Sequence, residues 1–242
     1  MLVPDEIRKC VCFVALQRAD GQMRFVGTAF FIGRPIPARP ASSFNYVVTA
    51  KHVIEGIKNL GLDKVYLRIN ALDGNSGWLI TEFAEWHLHP DPAVDVAVLR
   101  GGPESGDHRF FPLANALTPD QFAEHELGIG TEVFIVGLFA NHVGERRNIP
   151  IIRVGNIAAL PEEPVVTEVG ALEAILIEAR SIGGLSGSPV FGHLGNLRVS
   201  GGRLQTADKP IFHLIGLIHG HWTSRCPSPI SSKRTPRPIL RL

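Results

Sequence analysis

The chain has 242 residues, with 24 Lys and Arg residues against 23 Asp and Glu residues, so its formal net charge is +1. A chain without a strong net charge lacks the long-range field that attracts proteins to nucleic acid or to an anionic membrane, and we expect neither as a partner. Hydrophobic residues make up 45% of the sequence and charged residues 19%. This composition provides enough apolar surface for a folded core and excludes a mainly disordered chain.

The sequence also indicates a compartment. The first apolar run, residues 11–16, follows acidic residues and is too short for the core of a signal peptide. No uninterrupted apolar stretch reaches the roughly 20 residues that are needed to cross a bilayer. Three cysteines, Cys10, Cys12 and Cys226, are too few for a disulfide framework. We therefore predict a soluble protein of the reducing cytoplasm.

Short apolar segments bounded by turn residues fill the first part of the chain, and each has the length of a β-strand. The 25 glycines and 18 prolines supply the turns between them. The predicted strands are residues 10–16, 25–32, 46–50, 65–69, 78–80 and 94–99. This set predicts an N-terminal β-barrel over residues 1–110.

A connector follows over residues 111–130. Within it, Thr118 begins a Thr-Pro-Asp-Gln sequence, which supplies the N-cap, the first-turn proline and the capping-box glutamine of a short helix. A second set of strands is predicted at residues 131–139, 149–159, 174–178, 188–191 and 211–219, with an extra hairpin at 197–204. These strands predict a C-terminal barrel over residues 131–221. The remainder, residues 222–242, is rich in proline and basic residues and is expected to be a disordered tail.

Two consecutive groups of short strands with almost no helix between them favour antiparallel sheets, because parallel strands need long crossovers. The predicted fold class is therefore all-β, with two antiparallel six-stranded β-barrels. Since the second group offers only five good strands, the second barrel is expected to be incomplete.

Three segments place a reactive side chain at the edge of an apolar strand. His52 follows the strand in YVVTAKHV, Asp95 begins the strand in DVAVL, and Ser186 lies in the glycine-rich segment GLSGSPVF. Each has an ordinary structural interpretation, as a solvated histidine, a turn aspartate or a Gly-Ser loop. The occurrence of all three in the order His, Asp, Ser on an all-β chain favours a functional interpretation.

The segments GTAFFIG (27–33), TAKHV (49–53), DVAVL (95–99) and GLSGSP (184–189) resemble those of the trypsin-like serine peptidases. The absence of cysteines beside the reactive residues resembles the intracellular bacterial branch of that family. The resemblance implies a double β-barrel with the active site between the barrels. It also implies a serine endopeptidase that acts through an acyl-enzyme intermediate.

The resemblance assigns roles to single residues. His52 would be the general base, Asp95 the residue that orients it, and Ser186 the nucleophile, while the backbone N–H groups of Gly184 and Ser186 would form the oxyanion hole. An α/β-hydrolase would need the sequence Gly-x-Ser-x-Gly and the order Ser, Asp, His. Neither requirement is met, so that class is excluded.

The resemblance also locates a substrate pocket, at the residue six positions before the nucleophile and at the strand that follows it. The corresponding residues are Arg180, His219, Gly220 and His221. A basic pocket would favour an acidic substrate side chain and gives no support for cleavage after Arg or Lys. Alternatively, Arg180 points to solvent.

Two His-x-His pairs, His87/His89 and His219/His221, have the spacing of metal ligands on one strand face. Neither pair has a third ligand nearby in the sequence, so we expect structural histidines, no metal and no cofactor. The expected partner is a protein or peptide substrate, and the sequence leaves the oligomeric state open. Because no further strand or helix is evident after His221, a second hypothesis is a catalytically inactive binding module of trypsin-like fold.

Overall fold

The structure is a computed structural model that describes residues 2–167, 170–180, 183–195, 197–200, 203–208, 211–222 and 239–241. Within these residues most of the regular structure is β-strand, and the helices are few and short. The prediction of an all-β chain is therefore confirmed.

Eight strands in the first part of the chain form one sheet. They are β1 (Val11–Gln17), β2 (Met23–Ile36), β3 (Arg39–Thr49), β4 (Lys64–Asn70), β5 (Ser76–Glu82), β6 (Trp86–Leu88), β7 (Ala97–Arg100) and β8 (Phe111–Pro112). Their order is β5-β4-β1-β2-β3-β7-β6, and β8 pairs with β2. Only the β2–β8 pair is parallel among the described strand pairs of this sheet. Strands β6 and β8 were not predicted from the sequence.

A short helix, α1 (Asp5–Arg8), precedes the sheet, and a longer one, α2 (Lys51–Asn59), follows β3 directly. Helix α2 was also not predicted. It forms because Val53, Ile54 and Ile57 are buried on one side at helical spacing. The consequence is that His52, which was expected at a strand end, lies in the first turn of α2.

The second part of the chain forms another sheet and two separate hairpins. Its strands are β9 (Glu132–Gly137), β10 (Ile151–Ala159), β11 (Val165–Thr167), β12 (Gly170–Leu172), β13 (Leu176–Ala179), β14 (Pro189–Leu194), β15 (Leu197–Ser200), β16 (Arg203–Thr206), β17 (Ile211–Leu217), β18 (Gly220–Trp222) and β19 (Ile239–Arg241). The sheet has the order β17-β14-β9-β10-β13-β19-β18, while β11 pairs with β12 and β15 with β16. The predicted extra hairpin is thus present, although Gly201 and Gly202 at its turn lie outside the described residues.

The strand pairs that the structure describes do not complete two closed six-stranded barrels. In the first sheet, β5 and β6 stand at the two ends of the strand order, and in the second sheet β17 and β18 do. Strand β19 lies between β13 and β18. It belongs to the segment 222–242 that was expected to be disordered, of which residues 223–238 and 242 lie outside the described residues.

Three clusters of buried apolar side chains form the core. One lies on the inner face of the first sheet around Phe31, and another lies on the inner face of the second sheet around Ile135. The third contains Phe30, Phe134 and Phe191. The rings of Phe134 and Phe191 stack, with their centroids 5.1 Å apart. Because neighbouring residues of a strand point to opposite faces, Phe30 and Phe31 serve different clusters. The third cluster packs the two sheets against each other.

The connector contains a short 3-10 helix, Pro119–Gln121. The backbone N–H of Thr118 donates to Gln121 Oε1 at 3.0 Å, as the predicted capping box requires. None of the described helices combines the length and the apolar character that a membrane span requires.

We expect Cys10 and Cys12 to resist thiol reagents in the folded protein. Both are buried, and burial raises the pKa of Cys10 to about 12 and the pKa of Cys12 well above its ordinary value. Because the thiolate is the reactive form, native labelling at pH 8 should be far slower than in the unfolded chain. Labelling with a chromogenic disulfide in a Cys226→Ser background measures this, and rapid native reaction of either thiol would contradict the described packing.

Candidate active site

Asp95 and His52 form the centre of the candidate site. Asp95 lies two residues before β7, and His52 is the second residue of α2. The Oδ1 atom of Asp95 accepts a hydrogen bond of 2.8 Å from the backbone N–H of His52, and its Oδ2 atom lies 2.6 Å from His52 Nδ1. A carboxylate only accepts hydrogen bonds, so the proton of the neutral imidazole belongs on Nδ1. This leaves the lone pair of the His52 Nε2 atom available to accept a proton.

Lys51 fixes the segment that leads to Asp95. Its side chain is nearly buried, and Nζ donates to the backbone oxygens of Asp91 at 2.9 Å and His89 at 3.3 Å. Both acceptors lie a few residues before Asp95. The start of α2 and the approach to β7 are therefore joined by a charged side chain as well as by the Asp95 carboxylate.

His219 also contacts the Asp95 carboxylate. Its Nδ1 atom lies 2.5 Å from Asp95 Oδ2, the same oxygen that faces His52. The two imidazole rings are perpendicular, with centroids 5.8 Å apart. The side chain of His52 is 44% exposed, while that of Asp95 is 9% exposed and that of His219 is 22% exposed. Asp95 is therefore enclosed between two imidazoles, of which His52 is the more accessible.

The environment of Asp95 favours its charged form. Burial by itself raises the pKa of a carboxyl group, but the hydrogen bonds from His219 and His52 outweigh this effect. Together they hold the pKa of Asp95 well below its ordinary range. The carboxylate is thus ionised at neutral pH and is an acceptor for both imidazoles.

A tight turn presents Ser186 at the end of the second sheet. The N–H of Ser188 donates to Leu185 O at 2.8 Å, which places Ser186 and Gly187 in the middle of the turn. The φ angles of Gly184 and Gly187 are +104° and +79°. These angles lie in the left-handed region that favours glycine, so the glycines of the motif are required by the backbone path.

Thr28 fastens this turn to the first sheet. It is fully buried on β2, and its N–H donates to Ser186 O at 2.9 Å. Its Oγ1 atom donates to Gly184 O at 3.2 Å and accepts the N–H of Leu138 at 2.9 Å. Sequence reasoning included Thr28 only as part of the motif at residues 27–33. A polar residue within an apolar strand was the signal for its role.

The same turn is fastened to the strand that leads to His219. The N–H of Gly187 donates to Ile218 O at 2.8 Å, and the N–H of Ile218 donates to Ser188 O at 2.9 Å. Since His219 follows Ile218 directly, the serine turn and the second imidazole are held by adjacent peptide groups.

Ser186 lies close to α2 without a hydrogen bond to it. A Cβ atom on Gly27 would lie 3.0 Å from Ser186 O and 3.1 Å from the side chain of Val53, so Gly27 fills the narrow space between the turn and the helix. Within the described part of the chain, no hydrogen bond joins Ser186 Oγ to His52. The structure thus joins His52 to Asp95 by hydrogen bonds, and within the described residues it joins neither of them to Ser186.

The backbone N–H groups of Gly184 and Ser186 have no backbone acceptor among the residues that the structure describes. Both belong to the turn whose carbonyl groups are held by Thr28. Two free donors on a fixed turn are an arrangement that can bind an oxyanion.

The predicted pocket residues occupy different places. Arg180 follows β13 and is exposed, while Gly220 begins β18. His219 contacts Asp95, and the side chain of His221 lies outside the described part. The pocket of these four residues therefore stays a prediction.

His52, Asp95 and His219 are also the donor set that could hold a metal ion. One ligand atom from each lies within 4.8 Å of the others. Nitrogen and carboxylate donors suit zinc. An ion at this place would have to displace the Nδ1 protons that both imidazoles direct at Asp95.

We expect Gly187→Ala to destabilise the protein by about 2–4 kcal/mol, because a Cβ atom would overlap Thr28 O and Thr49 Oγ1 and the φ angle is left-handed. Gly183→Ala is the matched control, since a Cβ atom there meets nothing within 4 Å. Urea unfolding measures both variants. Equal stability of the two would show that the described turn is incorrect.

We expect His219→Ala to raise the pKa of Asp95 towards its ordinary value, because one of its two imidazole donors is lost. The pH dependence of the Asp95 carboxyl ¹³C chemical shift measures this. His193→Ala is the control, since His193 Nδ1 contacts Glu132 Oε2 at 2.6 Å and not Asp95. An unchanged titration of Asp95 in His219→Ala would contradict the shared contact.

This pKa also determines how stability depends on pH. A carboxyl group with a depressed pKa stabilises the fold above its unfolded-state pKa, and this contribution is lost as the pH falls through its folded-state pKa. Replacing His219 should therefore reduce the acid-dependent loss of stability that arises from Asp95.

No family model matches the sequence, and no curated protein matches it. Solved structures do match. The apo form of the MamO protease domain from Magnetospirillum magneticum is 13% identical, with a TM-score of 0.54 over 97% of this chain and 92% of that chain. An inactive serine-to-alanine mutant of Rv3671c from M. tuberculosis H37Rv is 15% identical, with a TM-score of 0.46 over 97% of this chain and 81% of that chain. The likeness to the MamO domain concerns the fold, which is the trypsin-like serine protease fold.

Proposed function

We propose that the protein is a serine endopeptidase in which Ser186, His52 and Asp95 act together on a peptide substrate. The hydrogen bonds from Asp95 to both the backbone and the ring of His52 carry this proposal. They fix the imidazole in the tautomer that can accept a proton, and the turn that contains the partly exposed Ser186 lies close to the same helix.

In the proposed reaction, Ser186 Oγ attacks the carbonyl carbon of the scissile bond while its proton moves to His52 Nε2. The C–N bond then breaks, and His52 gives the proton to the departing amine. Water, activated in turn by His52, hydrolyses the resulting ester and restores the serine. Asp95 stays ionised and stabilises the imidazolium in both steps.

The negative oxygen of the tetrahedral intermediates needs fixed donors. The N–H groups of Gly184 and Ser186 are suited to this role because Thr28 holds the carbonyl groups of the same two residues. Removing one such donor costs about a hundred- to a thousandfold in rate in a comparable enzyme.

One observation favours a second candidate function, a catalytically inactive binding module. No hydrogen bond joins Ser186 Oγ to His52 in the described part of the chain. In an enzyme, this hydrogen bond would form when substrate binds, because catalytic hydrogen bonds are often long in ligand-free proteins.

We expect a fluorophosphonate probe to label Ser186, because a serine activated by His52 attacks the phosphorus atom. Labelling should be lost in Ser186→Ala and strongly reduced in His52→Ala. Asp95→Asn should lower the turnover number for peptide cleavage by ~10⁴-fold. Mass spectrometry of the labelled peptide identifies the modified residue.

Ser188→Ala is the matched control, since the Ser188 side chain is fully buried two residues away. It should keep full labelling. Native wild-type protein that takes up no probe would favour the binding module, and so would labelling that is independent of His52.

A further inference from the structure

Arg153 lies on β10 with its side chain on the inner face of the second sheet. Alternate residues of β10 are buried, and Ile157 on the same face belongs to the core. The cross-strand partner of Arg153 on β9 is Ile135, and the partner of Ile135 on β14 is Val190. Both are members of the apolar cluster of this sheet. A permanent cation thus occupies a row whose other members are aliphatic.

The charge of Arg153 is without an acceptor in the described part of the chain. The residue is 6% exposed, and its Nε, Nη1 and Nη2 atoms are all buried with no hydrogen-bond partner. Arg68 on β4 is buried to the same extent, at 6% exposure. Its three nitrogens all donate, to Ser76 Oγ at 2.8 Å, Gly144 O at 2.8 Å and Glu145 O at 2.6 Å. The chain therefore gives each nitrogen of the Arg68 guanidinium an acceptor and, within the described part, gives none to the nitrogens of Arg153.

A guanidinium without hydrogen-bond partners in an apolar interior requires an anion. It stays charged at every physiological pH, and an unpaired buried charge is strongly unfavourable. Of the residues that lie outside the described part, only Glu168 is acidic. No carboxylate of the described residues pairs with Arg153, and a bound ligand can supply the anion. Because the guanidinium donors form a planar fork, a carboxylate is the group that fits them with two parallel hydrogen bonds.

Arg153 lies one row inside the rim that carries Ser186. Strand β10 begins at Ile151, which pairs with Gly137, and a Cβ atom on Gly137 would overlap Ser188 Oγ. Ile151 is therefore level with the serine turn. Arg153 is two residues further along, which is about 6.6 Å of strand.

The serine turn itself reaches the same interior. Leu185, which directly precedes Ser186, is buried in the cluster that contains Ile135 and Val190. The serine turn and the row of Arg153 therefore border the same apolar cluster.

We propose that Arg153 binds the carboxylate of an acidic substrate side chain, glutamate or aspartate, at the residue that precedes the cleaved bond. This proposal rests on the proposed function, because the scissile bond must lie at Ser186 for the preceding side chain to face Arg153. It gives Arg153 the anion-binding role that sequence reasoning offered to the exposed Arg180.

Matched fluorogenic peptides test the proposal. Two peptides carry Glu or Gln before the scissile bond and an amidated C-terminus, and a third carries Gln and a free C-terminal carboxylate. The wild-type protein should cleave the Glu peptide with a kcat/KM at least about a hundredfold above that of the Gln peptide. In Arg153→Met the two values should become similar. Arg68→Met is the matched control and should keep the preference.

The third peptide separates the two sources of a carboxylate. Loss of the Glu preference in Arg153→Met assigns the site to an acidic side chain. A rate that depends on Arg153 only for the peptide with the free terminus overturns the side-chain assignment. A wild-type preference for Gln, or a Glu preference that Arg153→Met retains, overturns the proposal as well.

Binding to Ser186→Ala protein distinguishes failure of this proposal from failure of the proposed function. Fluorescence anisotropy of dye-labelled Glu and Gln peptides needs no turnover. Tighter binding of the Glu peptide that is lost when Arg153→Met is added supports the carboxylate site, even if the wild-type protein hydrolyses neither peptide. Equal affinities for the two peptides overturn it.

Stability gives a further readout. Replacing an unpaired buried cation by an apolar side chain of similar length should raise the urea midpoint of Arg153→Met. Arg68→Met should lower the midpoint, because it leaves three acceptors without their donor. A fall in the Arg153→Met midpoint equal to that of Arg68→Met would reveal an internal acceptor and overturn the proposal.

Discussion

The carboxylate of Asp95 organises the candidate site, because its two oxygens accept from three donors on two different parts of the chain. One oxygen holds the first turn of α2 through a backbone N–H, and the other is shared by the rings of His52 and His219. Burial would by itself disfavour the charge, so these donors are what keeps the carboxylate ionised. The position of each imidazole therefore depends on a single ionised group.

The site also depends on how the two sheets are joined. Thr28 belongs to the first sheet, yet it holds the carbonyl group of Ser186 through its N–H and that of Gly184 through its hydroxyl. Phe30, two residues further along β2, packs in the cluster between the sheets. Apolar packing therefore sets the distance between the sheets, and the hydrogen bonds of Thr28 then fix the position of Ser186 relative to the first sheet.

Sequence reasoning predicted most strands of both sheets, because apolar segments between turn residues are a local property. It missed α2, since residues 51–59 are few and directly follow an apolar strand. The proximity of His52 and Asp95 was expected only from a family resemblance. The contact of His219 with Asp95 joins residues 124 positions apart. The absence of a described hydrogen-bond partner for the Arg153 guanidinium depends on which strands surround it. No pattern along the chain encodes either feature.

The hydrogen bond from Thr28 Oγ1 to Gly184 O joins residues 156 positions apart in the chain. During synthesis the N-terminal part emerges first, so the imidazole and carboxylate of residues 52 and 95 are made long before the serine turn exists. The hydrogen bonds from Thr28 to the turn form only when the later sheet has docked on the earlier one. The candidate site is thus complete only after both sheets have been made, and an unfinished chain beside the ribosome lacks the fixed turn that contains Ser186.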